Sequence, residues 1–425
     1  MKCLSAIVVG GGNRGRLAYL SYALKNPTRL KIVAVAECDK KRRELFQKEA
    51  SLPDYMVFRS SEEIFAREKL ADIAIISTQD RDHYRDALLA IERGYDLILE
   101  KPISPIASEC REILASAEKH NTKVYVAHVL RFAPFYQGVK ALLEQEAIGK
   151  VLSIRMEENV GFWHFSHSYV RGNWRREELS SPSILAKCSH DLDLIVWLSG
   201  AKCKNLSSYG GLKYFKAENA PEGATARCLD CPKRSECPFD PVKIYIENDV
   251  TGCRTSGFGS LLFALTPEKS EEAVMRAIEK GPYGRCVFHS DNDVADYQSI
   301  LGELENGVNF TFTLSAFSAN VGRKMHIQGC KGEIIGDLED KAVTLNLFGR
   351  APQRISFDSE ETFSGHGGGD GRLLTSVVKS LSGEGEDRSL TKLDVSMESH
   401  FMAFAAERSR KNGSDVIKIE EIRND

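Results

Sequence analysis

The chain has 425 residues, a formal net charge of −3, 42% hydrophobic residues and 28% charged residues. That length exceeds one ordinary core and predicts two domains, and the composition is that of a globular protein. No long basic block is present, which excludes a typical nucleic-acid binder, and no apolar run reaches membrane-spanning length.

Residues 7–15 read Ile-Val-Val-Gly-Gly-Gly-Asn-Arg-Gly. A strand over 4–9 runs into a Gly-x-Gly-x-x-Gly turn, and a helix is predicted over 15–25 with Leu17, Leu20 and Leu24 on one face. Gly10 allows the tight turn, Gly12 lets the backbone approach a pyrophosphate, and Gly15 lets helix and strand pack closely. The next strand, 30–36, ends at Glu37, 22 residues after Gly15. A carboxylate about 20 residues on is the group that receives the adenosine ribose hydroxyls. The bland reading, a glycine-rich turn with no ligand, is disfavoured by context and spacing together. The apolar N-terminus imitates a signal peptide but is needed as the first strand, so a cytoplasmic protein is expected.

Strands over 72–76, 96–99 and 123–127 alternate with helices over 40–49, 61–67, 82–93 and 106–120. This alternation predicts a doubly wound parallel Rossmann sheet in a dinucleotide-binding domain, 1–127, with the ligand along the carboxyl ends of the strands. The expected cofactor-binding set is Gly10, Gly12, Asn13, Arg14, Gly15, Glu37, Arg42, Thr78, Asp80, His83, Glu100, Lys101, His128 and Arg131. Glu100-Lys101-Pro102 stands out among them. Proline stiffens the backbone where a side chain must be aimed. A lysine beside a cationic nicotinamide has its ammonium form disfavoured and can exchange a proton with a substrate hydroxyl. Taken alone, Lys101 would read as a surface residue paired with Glu100.

From about residue 151 the pattern changes. Strands over 151–160, 298–304, 307–318, 322–329, 333–338, 342–348 and 353–358 predict an open, mainly antiparallel α+β domain, 128–369, interrupted by a helix near 187–199 and an insert over about 216–282. The insert carries a helix over 268–280, and helices over 370–381 and 392–411 are expected to pack back on the body as a third unit, 370–425. Residues 161–175 are dense in His, aromatic and Arg side chains, and a loop held by a rigid sheet often binds ligand. His164, His167, Tyr169, Trp174 and Arg175 are therefore substrate-binding candidates, with an interface loop between subunits as the alternative. On the 187–200 segment, His190, Asp193 and Trp197 recur at helical spacing. His190 can act as a base there, or simply cap or fill a core. The His366-Gly-Gly-Gly-Asp370 turn precedes a helix that Asp370 can cap, with His366 either reaching the site or only shaping the turn.

Of eleven cysteines most are scattered, but Cys228, Cys231 and Cys237 form a C-x2-C-x5-C cluster. Thiolates at this spacing can hold a structural zinc ion, with Cys253, Cys286 or His289 as fourth ligand. The alternative is three thiols on a compact loop, with or without one disulfide.

Together, Gly10-Gly-Gly-Asn-Arg-Gly15, Glu100-Lys101-Pro102, Arg131-Phe-Ala-Pro134 and the helix His190…Asp193…Trp197-Leu-x-Gly200 resemble the Gfo/Idh/MocA oxidoreductases. The resemblance implies a nucleotide-binding domain before an open sheet, with Lys101 and His190 facing the carbon that exchanges hydride. Many members carry an aspartate four residues before that histidine; this chain has Ala186, which leaves Lys187, Asp191 or the 161–175 loop to serve in its place. The function expected is NAD-dependent oxidation of a sugar, glycoside or cyclitol hydroxyl, with NADP disfavoured by Glu37. The alternatives are a redox-route glycosidase or lyase that recycles its NAD, and a non-catalytic NAD-binding sensor, against which Lys101 argues. A carbohydrate or polyol substrate, no nucleic acid or membrane partner, and a homo-oligomer formed through the C-terminal sheet complete the expectations.

Overall fold

A computed structural model describes residues 3–357 and 366–425. Six short strands, β1 (Leu4–Val9), β2 (Leu30–Ala36), β3 (Val57–Phe58), β4 (Ile73–Ile76), β5 (Asp96–Leu99) and β6 (Val124–Val126), form a parallel sheet in the order β3-β2-β1-β4-β5-β6. This is the doubly wound order, and its crevice opens where β1 and β4 part. Both faces are buried. Ile7, Val9, Ala74, Ile76, Leu97 and Leu99 enter one core, while Leu4, Ala6, Val8, Ile73, Ile75 and Ile98 enter the other. The alternation explains why these strands are apolar throughout.

The helix after the glycine turn departs from its expected phase. Its first turns, Arg14–Leu20, are of the wider π type, and only Ser21–Lys25 is α-helical. Leu17 and Leu24 consequently face solvent, whereas Ala18, Tyr19, Leu20, Tyr22 and Ala23 are buried. A π turn spends an extra residue per turn and rotates the apolar stripe.

The second sheet has nine strands. To β7 (Val151–Asn159), β8 (Cys203–Gly211), β9 (Tyr297–Leu304), β10 (Asn309–Ser315), β11 (Gly322–Gly329), β12 (Gly332–Asp337), β13 (Ala342–Leu347) and β14 (Gln353–Ser356) is added the two-residue β15 (Ile417–Lys418). Their order is β14-β13-β12-β11-β7-β10-β9-β8-β15. All neighbours are antiparallel except β7 and β10. The central β7 reaches β10 only through the long excursion between them, and such a crossover permits a parallel pair. The helix Ser183–Ser199 starts a turn earlier than the sequence pattern suggested, directly after Pro182, so His190 sits two turns inside it. The helix Gly369–Leu381 adds Leu373, Leu374, Val377 and Val378 to the first sheet's outer core. The helix Leu393–Lys411 places Met397, Met402, Ala403 and Ala406 in the core shared with the second sheet. Among the described residues no helix is long and apolar enough to cross a membrane.

Candidate active site

The glycine turn is built by close approach. Gly10 has φ +97°, and a Cβ there would lie 2.4 Å from the carbonyl oxygen of Ser77; one on Gly15 would lie 2.0 Å from that of Gly10. Gly12 faces open space, which leaves room for a pyrophosphate. Glu37, at the end of β2, is buried; its Oε1 accepts from the Asp39 N–H at 2.9 Å and lies 3.3 Å from Arg42 Nη2. Two polar atoms here are buried without partners, Asn13 Oδ1 and Arg42 Nε. Orphaned groups beside an open cradle fit a dinucleotide that would satisfy them.

At the end of β5, Glu100 accepts from Arg14 Nε at 2.5 Å and from the Tyr19 hydroxyl at 2.7 Å. Burial opposes its ionisation, but Arg14, Tyr19 and Lys101 hold its pKa below the ordinary value. Arg14 reaches on to Asp370 at 2.7 Å, whose other oxygen lies 3.1 Å from His366 Nδ1. Arg14 and Glu100, both expected at the cofactor, thus pair with each other and tie the turn to the His366–Asp370 segment. Lys101 donates to the carbonyl oxygen of Ala186 at 2.7 Å. Burial lowers its pKa against the pull of Glu100 and Asp80, and Lys187 and Arg14 lower it further. His83, another expected cofactor residue, is buried with its ring nitrogens 2.6 Å from the Pro102 oxygen and 3.2 Å from the Thr78 oxygen. It supports the Lys101-Pro102 turn from behind. The Thr78 hydroxyl is used within the sheet end, donating to Asp86 at 2.9 Å.

Four imidazoles line up through the site. The His190 ring lies 5.5 Å from His366 and 5.5 Å from His128, which lies 5.7 Å from His400. Burial, reinforced by Lys101 and the neighbouring histidines, holds the His190 pKa well below the ordinary value, and its buried Nδ1 has no partner. Burial pushes His128 down to about 4 and His400 down to about 3. His400 Nε2 accepts from the Ile103 N–H at 2.9 Å while Nδ1 faces the Ser396 oxygen at 3.0 Å, which fixes its tautomer.

The 161–175 loop divides. His164 is stacked on Trp163 and faces the lysines: burial, then Lys187, lowers its pKa well below the ordinary value. Tyr169 is buried beside Phe165, with ring centroids 5.0 Å apart. Trp174 donates to Asp80 at 3.1 Å, and Ser180 and Ser181 donate to the same carboxylate at 2.9 and 2.5 Å. Asp80, expected at the cofactor, therefore anchors the loop to the first sheet. His167 stands 3.0 Å from the Tyr245 hydroxyl and stacks on Tyr283, and Arg175 pairs with Asp291 at 2.8 Å. Both are committed to packing rather than open to a substrate.

Models of the oxidoreductase family match nearly the whole chain: its NAD-binding Rossmann fold over residues 4–128 and its C-terminal alpha/beta domain over 140–419. The chain belongs to the Gfo/Idh/MocA oxidoreductase family. It is 24% identical over 374 residues to the putative oxidoreductase YteT of Bacillus subtilis, covering 82% of each protein. It is 26% identical over 211 residues to the 2,7-anhydro-N-acetylneuraminate hydratase of Mediterraneibacter gnavus, covering 50% of this chain and 53% of that one. An inositol dehydrogenase homologue from Azotobacter vinelandii, solved with NADH and myo-inositol, superposes with a TM-score of 0.66 at 14% identity, covering 98% of both chains.

In this Gfo/Idh/MocA member, the hydrogen-bond acceptor that Lys101 meets at position 186 is the main-chain oxygen of Ala186. The expected substitutes Lys187 and Asp191 join two residues that sequence reasoning missed. Lys187 lies 3.3 Å from Glu158, Arg323 lies 2.7 Å from Glu158, and Arg323 Nε donates to Asp191 at 2.8 Å. Asp191 is fully buried and its pKa is pushed up to about 6, by burial first. Glu158 was findable: it follows Ile154 and Met156 on the inward row of β7, where a carboxylate is out of place. Arg131, expected at the cofactor, instead forms a two-pronged buried pair with Asp193, both bonds 2.6 Å, and pins the His190 helix.

Cys228, Cys231, Cys237 and Cys286 line one small cavity. The donors do not fit the expected zinc ion. Among the described residues no three His, Cys, Asp or Glu side chains are grouped to hold a metal. The buried guanidinium of Arg171 enters the same cavity and donates to Cys228 Sγ at 3.5 Å. A fixed cation beside the thiol opposes a second one.

Proposed function

We propose that this oxidoreductase oxidises a CH–OH carbon of a sugar, glycoside or cyclitol, with Lys101 as the base. The observation that carries this is the seat of Lys101. Its ammonium, disfavoured by burial, lies at the end of β5 beside His190 and bonds to Ala186. NAD supplies the hydride acceptor when bound. Lys101 Nζ takes the hydroxyl proton as the C–H bond breaks, because hydride leaves carbon only as the proton leaves oxygen. His190, neutral and with Nδ1 unpartnered, orients the reacting hydroxyl. His366, one third exposed, gives the proton a neighbour open to solvent. Glu37, buried at the end of β2, favours NAD over NADP, since a 2′-phosphate would meet its carboxylate. The myo-inositol bound by the Azotobacter homologue supports a cyclitol or related polyol.

A second reading is the redox route, in which oxidation at sugar C3 acidifies the C2 proton, the C1 substituent is eliminated, water adds, and the ketone is reduced again. One relative is named a hydratase rather than a dehydrogenase, which favours this reading. A panel of sugars, glycosides and cyclitols, with and without added NAD, separates the two. Accumulating NADH at 340 nm marks net oxidation, and leaving-group release without net NADH marks the redox route. Neither signal across the panel would refute both.

The uncovered face of the second sheet carries Leu152, Tyr209, Leu301 and Ile335 exposed, and is proposed as a self-association surface. Light scattering should give more than one chain per particle; a monomer at micromolar concentration would count against it.

A further inference from the structure

The segment over residues 243–280 belongs to the insert and takes no part in the chemistry above, yet it touches the cofactor cradle on both sides. Asn13 Nδ2 donates to the Ser260 oxygen at 2.9 Å, and the Arg16 guanidinium lies 4.9 Å from the centre of the Phe263 ring. Across the crevice, Lys41 Nζ lies 2.7 Å from Glu268, which also bonds Arg276 at 3.0 Å. The first two contacts rise from the glycine turn and the third from the start of the helix Lys40–Ala50, so they flank Glu37. We infer that this segment forms the outer wall of the adenosine half of the cofactor site and holds the dinucleotide between turnovers.

Two further observations support it. The orphaned Asn13 Oδ1 belongs to a residue that bonds this wall, and the orphaned Arg42 Nε lies on the helix whose Lys41 pairs with it. The wall also has its own core. Ile244, Tyr245, Ile246, Leu262, Val274, Ile278 and Tyr283 pack together, with Trp163 of the candidate substrate loop against them. Tyr245 and Tyr283 both hold His167 of that loop. Lifting the wall therefore disturbs the packing of the loop that carries Trp163, His164 and His167. Retention of NAD between turnovers suits chemistry that returns the cofactor to its starting state.

The inference rests on NAD binding, which the family establishes, and not on the substrate reading. Its test measures release alone. The 425-residue chain loaded with NADH is mixed with excess NAD, and the loss of bound-NADH fluorescence gives the dissociation rate. Phe263→Ala removes the ring that meets Arg16; loss of a buried aromatic side chain corresponds to about a tenfold to hundredfold faster release. Glu268→Arg sets a cation against Lys41 and Arg276 and should speed release about twofold to fivefold, more at low salt. Binding of nicotinamide mononucleotide, which lacks the adenosine, should be unchanged in both variants. Release at the wild-type rate from a folded Phe263→Ala protein overturns the inference. If that variant does not fold, an unchanged rate in Glu268→Arg does so.

Discussion

Removing the guanidinium of Arg323 should expose the cost of the buried charges around the His190 helix. Arg323 sits between Asp191 Oδ1 at 2.8 Å and Glu158 at 2.7 Å, and all three are nearly inaccessible. In Arg323→Met, Glu158 keeps Lys187 at 3.3 Å, but Asp191 loses the cation it pairs with, the only one it has among the described residues. Breaking a buried pair from one side costs about 3–5 kcal/mol, and the retained lysine places this case near the lower figure, about 3 kcal/mol. The loss should depend on pH. The Asp191 pKa is already pushed up to about 6 by burial against the opposing pull of Arg323, and without Arg323 it rises further. A carboxyl with a folded pKa above its unfolded one binds its proton more tightly in the native state, so acidification favours the native state. The deficit of Arg323→Met should therefore be largest near pH 8 and shrink by more than about 1 kcal/mol by pH 5.5. Urea unfolding followed by circular dichroism at both pH values measures this. Asp191→Asn in the same background should recover part of the loss, with a coupling above about 1 kcal/mol. A deficit under about 1 kcal/mol at pH 8, or one indifferent to pH, would refute the account of this cluster.

Glu37→Ser should raise NADP affinity about tenfold or more while weakening NAD, because Arg42, now 3.3 Å from the carboxylate, is freed to meet a 2′-phosphate; fluorescence titration of both cofactors checks it, and unchanged preference would contradict it. His128 and His400 have folded pKa values of about 4 and about 3, below the unfolded value. Their contribution is complete above about pH 6.5 and is lost as pH falls towards those values. The melting temperature should accordingly fall between pH 6.5 and 4, less steeply in His400→Gln, and equal slopes would count against the buried neutral imidazole.

Five strands of the first sheet were readable because each, apolar on both faces, alternates with a helix and ends at a chemically distinct residue; the edge strand Val57–Phe58 is too short to show a pattern. Lys101 and His190, far apart in sequence, are near enough in the fold for the lysine charge to act on the imidazole. The helix after that turn was misread in phase because no residue pattern announces a π turn. The strand Cys203–Gly211 escaped notice since its polar and small residues, Ser207 and Ser208 among them, carry no apolar alternation. Asp80, Arg131 and Arg175 carry side chains that suit a ligand equally well, and only the three-dimensional placement of Trp174, Asp193 and Asp291 shows where their bonds go. Glu158 and Arg323 lie 165 residues apart in a shared cluster, and local spacing says nothing of such a pair. The cysteine spacing pointed to a metal because it is blind to Arg171, which arrives from another part of the chain.

The central claim, oxidation at a CH–OH carbon with Lys101 as the base, is tested most directly in single turnover. Protein saturated with NAD is mixed with members of the sugar, glycoside and cyclitol panel, and enzyme-bound NADH is followed at 340 nm in the wild type and in Lys101→Ala. Both net oxidation and the redox route pass through that reduced state. The account predicts a transient with at least one substrate class and a rate lower by about 10²–10⁴-fold in Lys101→Ala, with NAD affinity retained by the glycine turn. A Lys101→Ala transient as fast as that of the wild type would contradict it.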